Sequence, residues 1–460
     1  MRGPVFRLSL VVVVAGWLLL LAGRALLWLL RRPRAAAGLT AAAALAWAGS
    51  RYGWALLAGL AACAGLALAA CAWAAPDLFE RRVRLPALSR WRRLAVYRHG
   101  WQPAMATAGL SLPSSLGELL PELRRVRSAE HYDVVLARMV PGQTVADWQA
   151  AAPALAQTFG LLDARARSLP GRPRSVELLC LRRDPLLAPV PLPQPASDLE
   201  RVPCGLREDG RPLELPVLYS HLLVGGQTGS GKGSVLWSLL AGLGPGIRDG
   251  LVRVWALDPK GGMELSAGRA LFDRFVWGGS GANWHEPFAE LLEEAVRGMQ
   301  ARAGRLRAQG VRKLQPSPEE PMMVVLVDEL ASLTAYVADA AIRRRIADAL
   351  SLLLSQGRAV GVVVVAATQD VRKEVVGFRD LFSARVGLRQ AEPAQADLIL
   401  GQGARARGAR CDAISPELPG VGFCWLEGAP EPQRVRFAYL SDEQVAELAA
   451  LYAPAARVLA

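Results

Sequence analysis

Residues 221–240 read HLLVGGQTGSGKGSVLWSLL: an apolar run, a glycine-rich turn, then an apolar stretch at helical spacing. A strand that breaks into such a turn and re-forms as a helix points backbone N–H groups and a helix N-terminus at one spot, which suits a phosphate. On that pattern Gly226, Gln227, Thr228, Gly229, Ser230, Gly231, Lys232, Gly233 and Ser234 form the expected cradle for ATP. The Lys232 ammonium would reach the β- and γ-phosphates. One position departs from the pattern. Gly233 stands where a Ser or Thr hydroxyl ordinarily meets Mg2+, and Ser234 follows it. A glycine-rich stretch by itself reads equally as loop punctuation; its place between an apolar strand and a helix argues against that.

Three further apolar runs share the texture: VRVWALD (252–258), MMVVLVD (322–328) and GVVVVAATQ (361–369). Nearly continuous apolar strands separated by helical stretches predict an α/β domain with a parallel sheet buried on both faces. Several of the runs end in a polar residue, at the edge where open α/β sheets place ligands. Asp328 and Glu329 end one of them. The first carboxylate suits Mg2+ and the second the polarisation of an attacking water. Paired acids at a strand end are common, and the phosphate loop is what gives this pair its catalytic reading. Gln369, with Thr368, ends another strand and could sense the γ-phosphate or simply form a strand-end hydrogen-bonding pair. Asp258 is either a supporting acid or a turn former.

The 460 residues allow about three domains at roughly 150 residues each. Apolar residues make up 52% and mean hydropathy is +0.21, which excludes a disordered chain and exceeds what an ordinary soluble enzyme needs. Formal net charge is +13, but residues 1–100 hold 14 arginines against only Asp77 and Glu80, an excess of +12. The basicity therefore belongs to the first hundred residues and is no argument for DNA. No CxxC pair exists among the six cysteines, and the four histidines are scattered, which speaks against structural zinc or a disulfide framework and for a reducing cytosol.

Residues 8–30 are long enough to cross a membrane, with Arg24 near enough to the end to snorkel. Their length exceeds a signal-peptide core. Residues 54–75 form a second expected span and 35–49 a shorter one. Arginine clusters follow the first span (31, 32, 34) and the last (81, 82, 84, 90, 92, 93), and placing both in the cytoplasm favours three spans over two. Everything after residue 80 is then cytoplasmic. Residues 131–184 predict a small α/β unit: a strand at 131–140, a helix capped by Thr144 and running to about 159, and a strand at 175–181. Prolines at 185, 189, 191, 193 and 195 predict a stiff, extended linker. The expected organisation is a membrane region (1–80), a juxtamembrane segment with the small α/β domain (81–187), the linker (188–200) and the motor domain (201–460).

HLLVGGQTGSGKGSVLWSLL, WALDPKGGMEL (255–265), MMVVLVDEL (322–330) and above all LSQGRAVGVVVVAATQDV (354–371) resemble the FtsK/SpoIIIE family of membrane-anchored DNA translocases, over residues 221 to about 426. Within it, the Gly-Lys-Gly-Ser loop and GARARGARCDAISPELPGVGFCW (403–425) look like the Tra transfer proteins of actinobacterial conjugative elements. The resemblance implies a RecA-like P-loop motor fold, ATP with Mg2+, and a hexameric homo-oligomer around double-stranded DNA. It makes Gly233 a subfamily variant and Ser234, with Asp328, the metal ligand. It also places a trans-acting arginine in the helix AVRGMQARAGRLRAQGVRKL (295–314), matching Arg302, with Arg385 and Arg389 as runners-up. Chromosome-segregating members add a C-terminal winged-helix module. Little follows VRFAYL (435–440) here except SDEQVAELAALY, an expectation against sequence-directed translocation. Candidate DNA-facing cations are Arg405, Arg407, Arg410 and the group Arg305, Arg307, Arg312 and Lys313. The expected function is a membrane-anchored double-stranded DNA pump for conjugation. The alternatives are a type VII-like protein secretion ATPase and a chromosome-partition motor.

Overall fold

The computed structural model describes residue 47, residues 50–51 and residues 53–454, apart from 115–116, 170, 196–197, 280–282, 373–374 and 376. The described residues up to Val96 and those from Tyr97 onward form two compact units.

In the first unit, helix α1 (Trp54–Ala74) coincides with the expected span at 54–75 and ends just before Pro76, which opens α2 (Pro76–Phe79). A π-helical stretch then leads into α3 (Leu85–Arg92). The spans expected at 8–30 and 35–49 lie outside the described residues. Among the described residues, which omit several α1 side chains, no helix is long and apolar enough to cross a membrane.

The second unit opens with α4 (His99–Thr107) and a short antiparallel pair, β1 (Leu112–Ser114) and β2 (Gly117–Leu119). A four-stranded antiparallel sheet follows, in the order β3 (Glu122–Ser128), β4 (Tyr132–Arg138), β6 (Ser175–Leu181) and β5 (Asp163–Ser168). Helix α5 (Val145–Thr158) packs on it. Thr144 caps this helix as expected: its hydroxyl accepts from Asp147 N–H at 3.3 Å while the Asp147 carboxylate accepts from Thr144 N–H at 2.7 Å. Trp148, fully buried, anchors the helix. Among its described residues the proline-rich segment has no regular element, and its start is pinned along the motor. Leu186 is fully buried in a motor core cluster, Arg436 Nη1 donates to the Leu186 and Leu187 carbonyls at 2.8 Å, and Arg434 pairs with Asp184 at 2.7 Å.

The motor is built on a ten-stranded sheet. Six strands are parallel, in the order β11 (Phe272–Trp277), β10 (Val252–Asp258), β12 (Met322–Val327), β13 (Val362–Thr368), β9 (Leu222–Gly225) and β14 (Ala384–Leu388). Strands β15 (Val421–Leu426), β16 (Gln433–Phe437), β7 (Val202–Arg207) and β8 (Pro212–Leu215) extend it in antiparallel fashion, an extension the sequence reading did not foresee.

The apolar runs are continuous because both faces are covered. Met322, Val324 and Leu326 of β12 enter one core cluster, with helices α6 (Lys232–Arg248) and α11 (Asp442–Tyr452). Met323, Val325 and Val327 enter the other, with α7 (Glu286–Ala308), α8 (Leu330–Leu333), α9 (Ala340–Gln356) and α10 (Pro393–Leu400). The period-2 alternation of a strand thus feeds two cores at once. Strand β9 lies between β13 and β14, so the chain leaves its carboxyl end in one direction for β10 and reaches β14 on the other side. That is the crevice position for a ligand in an open α/β sheet.

Candidate nucleotide site

The turn after β9 is held from three sides. Gly226 N–H donates to the Thr368 carbonyl at 3.1 Å, Gln227 N–H to the Arg389 carbonyl at 3.0 Å, and Gly420 N–H to the Ser230 carbonyl at 2.9 Å. Gly231, at φ +92°, is left-handed, and a Cβ there would overlap the Gly420 backbone nitrogen. The glycines are therefore imposed by the neighbouring strands as well as by the turn. Lys232 opens α6 and folds back, its Nζ donating to the Gly226 and Gln227 carbonyls at 2.9 and 3.1 Å. Burial, reinforced by Lys260, lowers its ammonium to about 8 against the pull of Glu329, Asp328 and Glu264.

Asp328 and Glu329 follow β12 and are both buried. Glu329 is gripped by the adjacent strand end. Thr368 Oγ1 donates to Glu329 Oε1 at 2.8 Å, and Gln369 N–H reaches Oε1 and Oε2 at 3.1 and 3.2 Å. Gln369 also accepts from Thr228 Oγ1 at 2.8 Å through Oε1, which ties the phosphate loop to the tip of β13. Burial pushes Asp328 up to about 6, with Lys260 opposing and Asp258, Glu264 and Glu329 adding to the rise. Asp258 is fully buried and organises the loop after β10. It accepts from Lys260 N–H at 3.0 Å through Oδ1, and from Glu264 and Leu265 N–H at 3.2 and 3.1 Å through Oδ2.

Lys232, Asp328, Glu329 and Gln369 are thus brought together as the sequence pairing anticipated. Two other residues have neighbours of their own in this chain. Ser234 faces Gly420, its Oγ 3.7 Å from where a Cβ on that glycine would stand, while position 233 faces Glu264. Arg302 is buried in α7, donating to Glu320 at 3.1 Å and to the Val360 and Gly361 carbonyls at 3.1 and 3.4 Å, and is not joined to the loop of its own chain.

Arg389, a runner-up for a role in trans, instead reaches the loop of its own chain. Its Nη1 donates to Gln227 Oε1 at 2.8 Å and Nη2 to the Thr228 carbonyl at 3.1 Å. Sequence reasoning missed that Lys260 and Glu264 lie at the site, and it considered Arg389 only for a role in trans. Lys260 and Glu264 were visible only as members of the quoted WALDPKGGMEL.

The buried Asp328 Oδ2 accepts no hydrogen bond among the described residues, and the Lys260 ammonium stands 3.5 Å from it. Among those residues no three acid, histidine or cysteine side chains converge to hold a metal on their own. An oxygen donor set of this kind fits Mg2+ carried in on phosphates, since Mg2+ commonly takes one or two carboxylates and fills its shell with phosphate oxygens and water.

Residues 196–320 match the FtsK/SpoIIIE family profile. Over these residues the chain carries an FtsK/SpoIIIE family domain. Among curated proteins, ESX secretion system protein EccC of Thermomonospora curvata is 29% identical over 273 residues, covering 54% of this chain and 19% of EccC. DNA translocase FtsK of Lactiplantibacillus plantarum is 28% identical over 248 residues, covering 50% of this chain and 29% of that FtsK. The chain therefore spans less than a third of the length of either relative. The FtsK/SpoIIIE domain and its neighbouring elements share a fold with the pCW3 conjugation coupling protein TcpA, solved as a monomer with ATPγS. The TM-score is 0.51 at 19% identity, over 78% of this chain and 99% of TcpA.

Proposed function

We propose that this chain is the subunit of a membrane-anchored, ATP-driven translocase of double-stranded DNA that moves plasmid or integrative-element DNA during conjugation. The observation that carries the reading is the joining of phosphate loop, paired acids and strand tip through Thr228–Gln369 and Thr368–Glu329. In this reading Lys232 leaves the Gly226 and Gln227 carbonyls for phosphate oxygens, exchanging two neutral acceptors for charged ones. Glu329 orients the attacking water and takes its proton, and Gln369 reports the γ-phosphate to β13. Mg2+ bound with ATP would be held by Asp328 and would neutralise phosphate charge.

Translocation calls for a ring, and a homohexamer is the assembly proposed, with a partner's arginine completing each site. Support for DNA as the substrate comes from the similarity to FtsK, named a DNA translocase. Conjugation is supported by the Gly-Lys-Gly-Ser loop and the 403–425 segment, beside a fold shared with a conjugation coupling protein. The candidate DNA-facing cations are all exposed; Arg405 pairs with Asp412 at 2.8 Å and Arg305 with Glu320 at 2.6 Å, while Lys313 and Arg407 lie over the Tyr219 and Trp425 rings. The anchor is proposed as a multi-pass one in the cell membrane, with the motor in the cytoplasm, from the apolar runs before residue 76 and the arginines that follow them.

The match to EccC favours a second reading, export of protein rather than DNA. ATP hydrolysis by the full chain with and without duplex DNA separates the two. Stimulation that fades at high salt, as ionic phosphate contacts require, supports the DNA pump. Hydrolysis indifferent to duplex DNA at every salt concentration supports export.

A further inference from the structure

Position 233 is where the phosphate-loop pattern places a hydroxyl, and here it has no side chain. A carboxylate fills the space. A Cβ built on Gly233 would overlap Glu264 Oε1 and stand 3.2 Å from Glu264 Cδ and 3.7 Å from Oε2. Glu264 does not arrive there by the accident of a loose loop. Its backbone N–H, with those of Lys260 and Leu265, is fixed by the fully buried Asp258. Among the described residues Lys260 forms ion pairs with Asp328 and Glu329, and none pairs with Glu264.

Four carboxylates, those of Asp258, Glu264, Asp328 and Glu329, therefore stand against three cations, Lys232, Lys260 and Arg389, around a place meant for phosphates. A polyanion entering such a site meets repulsion from an exposed, uncompensated carboxylate. A divalent cation between carboxylate and phosphate turns that repulsion into coordination by hard oxygen donors. A second observation points to the same cation: buried Asp328 Oδ2 accepts no hydrogen bond among the described residues and has only the Lys260 ammonium, 3.5 Å away, to offset its charge. Glu264 also acts electrostatically on both Asp328 and Lys232.

We propose that Glu264 replaces the missing phosphate-loop hydroxyl: together with Asp328 it holds the divalent cation that accompanies the nucleotide, and residue 233 is glycine to admit its carboxylate. The proposal rests on the nucleotide-site reading above. It accounts for the departure from the loop pattern without recruiting Ser234, which faces Gly420.

The test measures binding of a fluorescent ATPγS analogue to the full chain, in EDTA and in Mn2+, with electron paramagnetic resonance reporting protein-bound Mn2+. The parent should bind in EDTA and tighten with Mn2+. Glu264→Gln should bind in EDTA at least as tightly as the parent, because the repelling charge is gone, and lose about 10-fold of the Mn2+ tightening, with an altered Mn2+ spectrum. Gly233→Ser combined with Glu264→Ala should recover most of that loss by restoring a hydroxyl. Full Mn2+ tightening and a parental spectrum in Glu264→Gln would overturn the proposal while leaving the nucleotide site intact. So would an equal loss of affinity in EDTA, which would make Glu264 a support for the loop. A parent chain that binds no nucleotide under either condition would overturn the nucleotide-site reading itself, and this proposal with it.

Discussion

Lys260 Nζ lies 3.0 Å from Glu329 Oε2, and the same ammonium stands 3.5 Å from Asp328 Oδ2. One cation from the loop after β10 thus serves both acids after β12, across a parallel strand pair. Burial raises Asp328 to about 6, so this carboxyl gains its charge as pH rises through that value, and Lys260 is what opposes a further rise. Lys260→Met should push Asp328 higher still. The acid limb of kcat/KM for ATP, expected near pH 6 in the full chain, should then move to higher pH. An unmoved limb in this variant would separate Lys260 from the ionisation of Asp328.

Glu329 is held by Thr368 and Gln369 without touching the phosphate loop, so its loss should spare nucleotide binding. Glu329→Gln is expected to bind ATPγS within a few-fold of the parent while hydrolysis falls by about 10²–10⁴-fold. Nucleotide affinity from fluorescence and turnover from phosphate release check the two halves separately. Hydrolysis at the parent rate would remove Glu329 from water activation.

Arg302 and Arg389 should part company in a double measurement. Arg302→Ala leaves the Val360 carbonyl without its donor, while Gly361 keeps Met323 N–H, and is expected to cost about 1–3 kcal/mol of stability, read as a lowered Tm. Arg389→Ala should leave Tm nearly unchanged and weaken nucleotide binding, because its guanidinium braces Gln227 and Thr228. A trans role for Arg302 has its own check. Mixing Arg302→Ala with Glu329→Gln subunits should restore partial hydrolysis if Arg302 serves a neighbouring site.

Gly231→Ala should fail at two levels. The left-handed backbone costs an alanine about 1–2 kcal/mol, and its Cβ would run into the backbone of Gly420, which has no flexible side chain to yield. Loss of nucleotide binding together with a lower unfolding midpoint is expected, whereas Lys232→Ala should show the first without the second.

Much of this architecture was readable in advance, for identifiable reasons. The runs at 222–225, 252–258, 322–327 and 362–368 became parallel strands because helices cover both sheet faces, and only an unbroken apolar run satisfies both. Thr144 was readable as a cap because its partner, Asp147, is three residues away. Strands β3 and β5, ELRRVRS and DARARS, escaped notice: arginines alternate with small or apolar residues there, and only one face meets the core.

The chain's order of residues determined by itself those features whose partners are close in sequence: the turn that leads Lys232 into α6, the acids that close β12, and the helix cap at Thr144. Folding settled whatever depends on partners far apart in the chain. Arg302 ends on Glu320 and two carbonyls near 360, Arg389 on a loop some 160 residues earlier, and Glu264 over Gly233. Local propensity and periodicity act over a turn or a strand. Which guanidinium is consumed in the core, and which carboxylate comes to face the missing hydroxyl, follows from how the strands are ordered in the sheet, and no short stretch of the chain encodes that order.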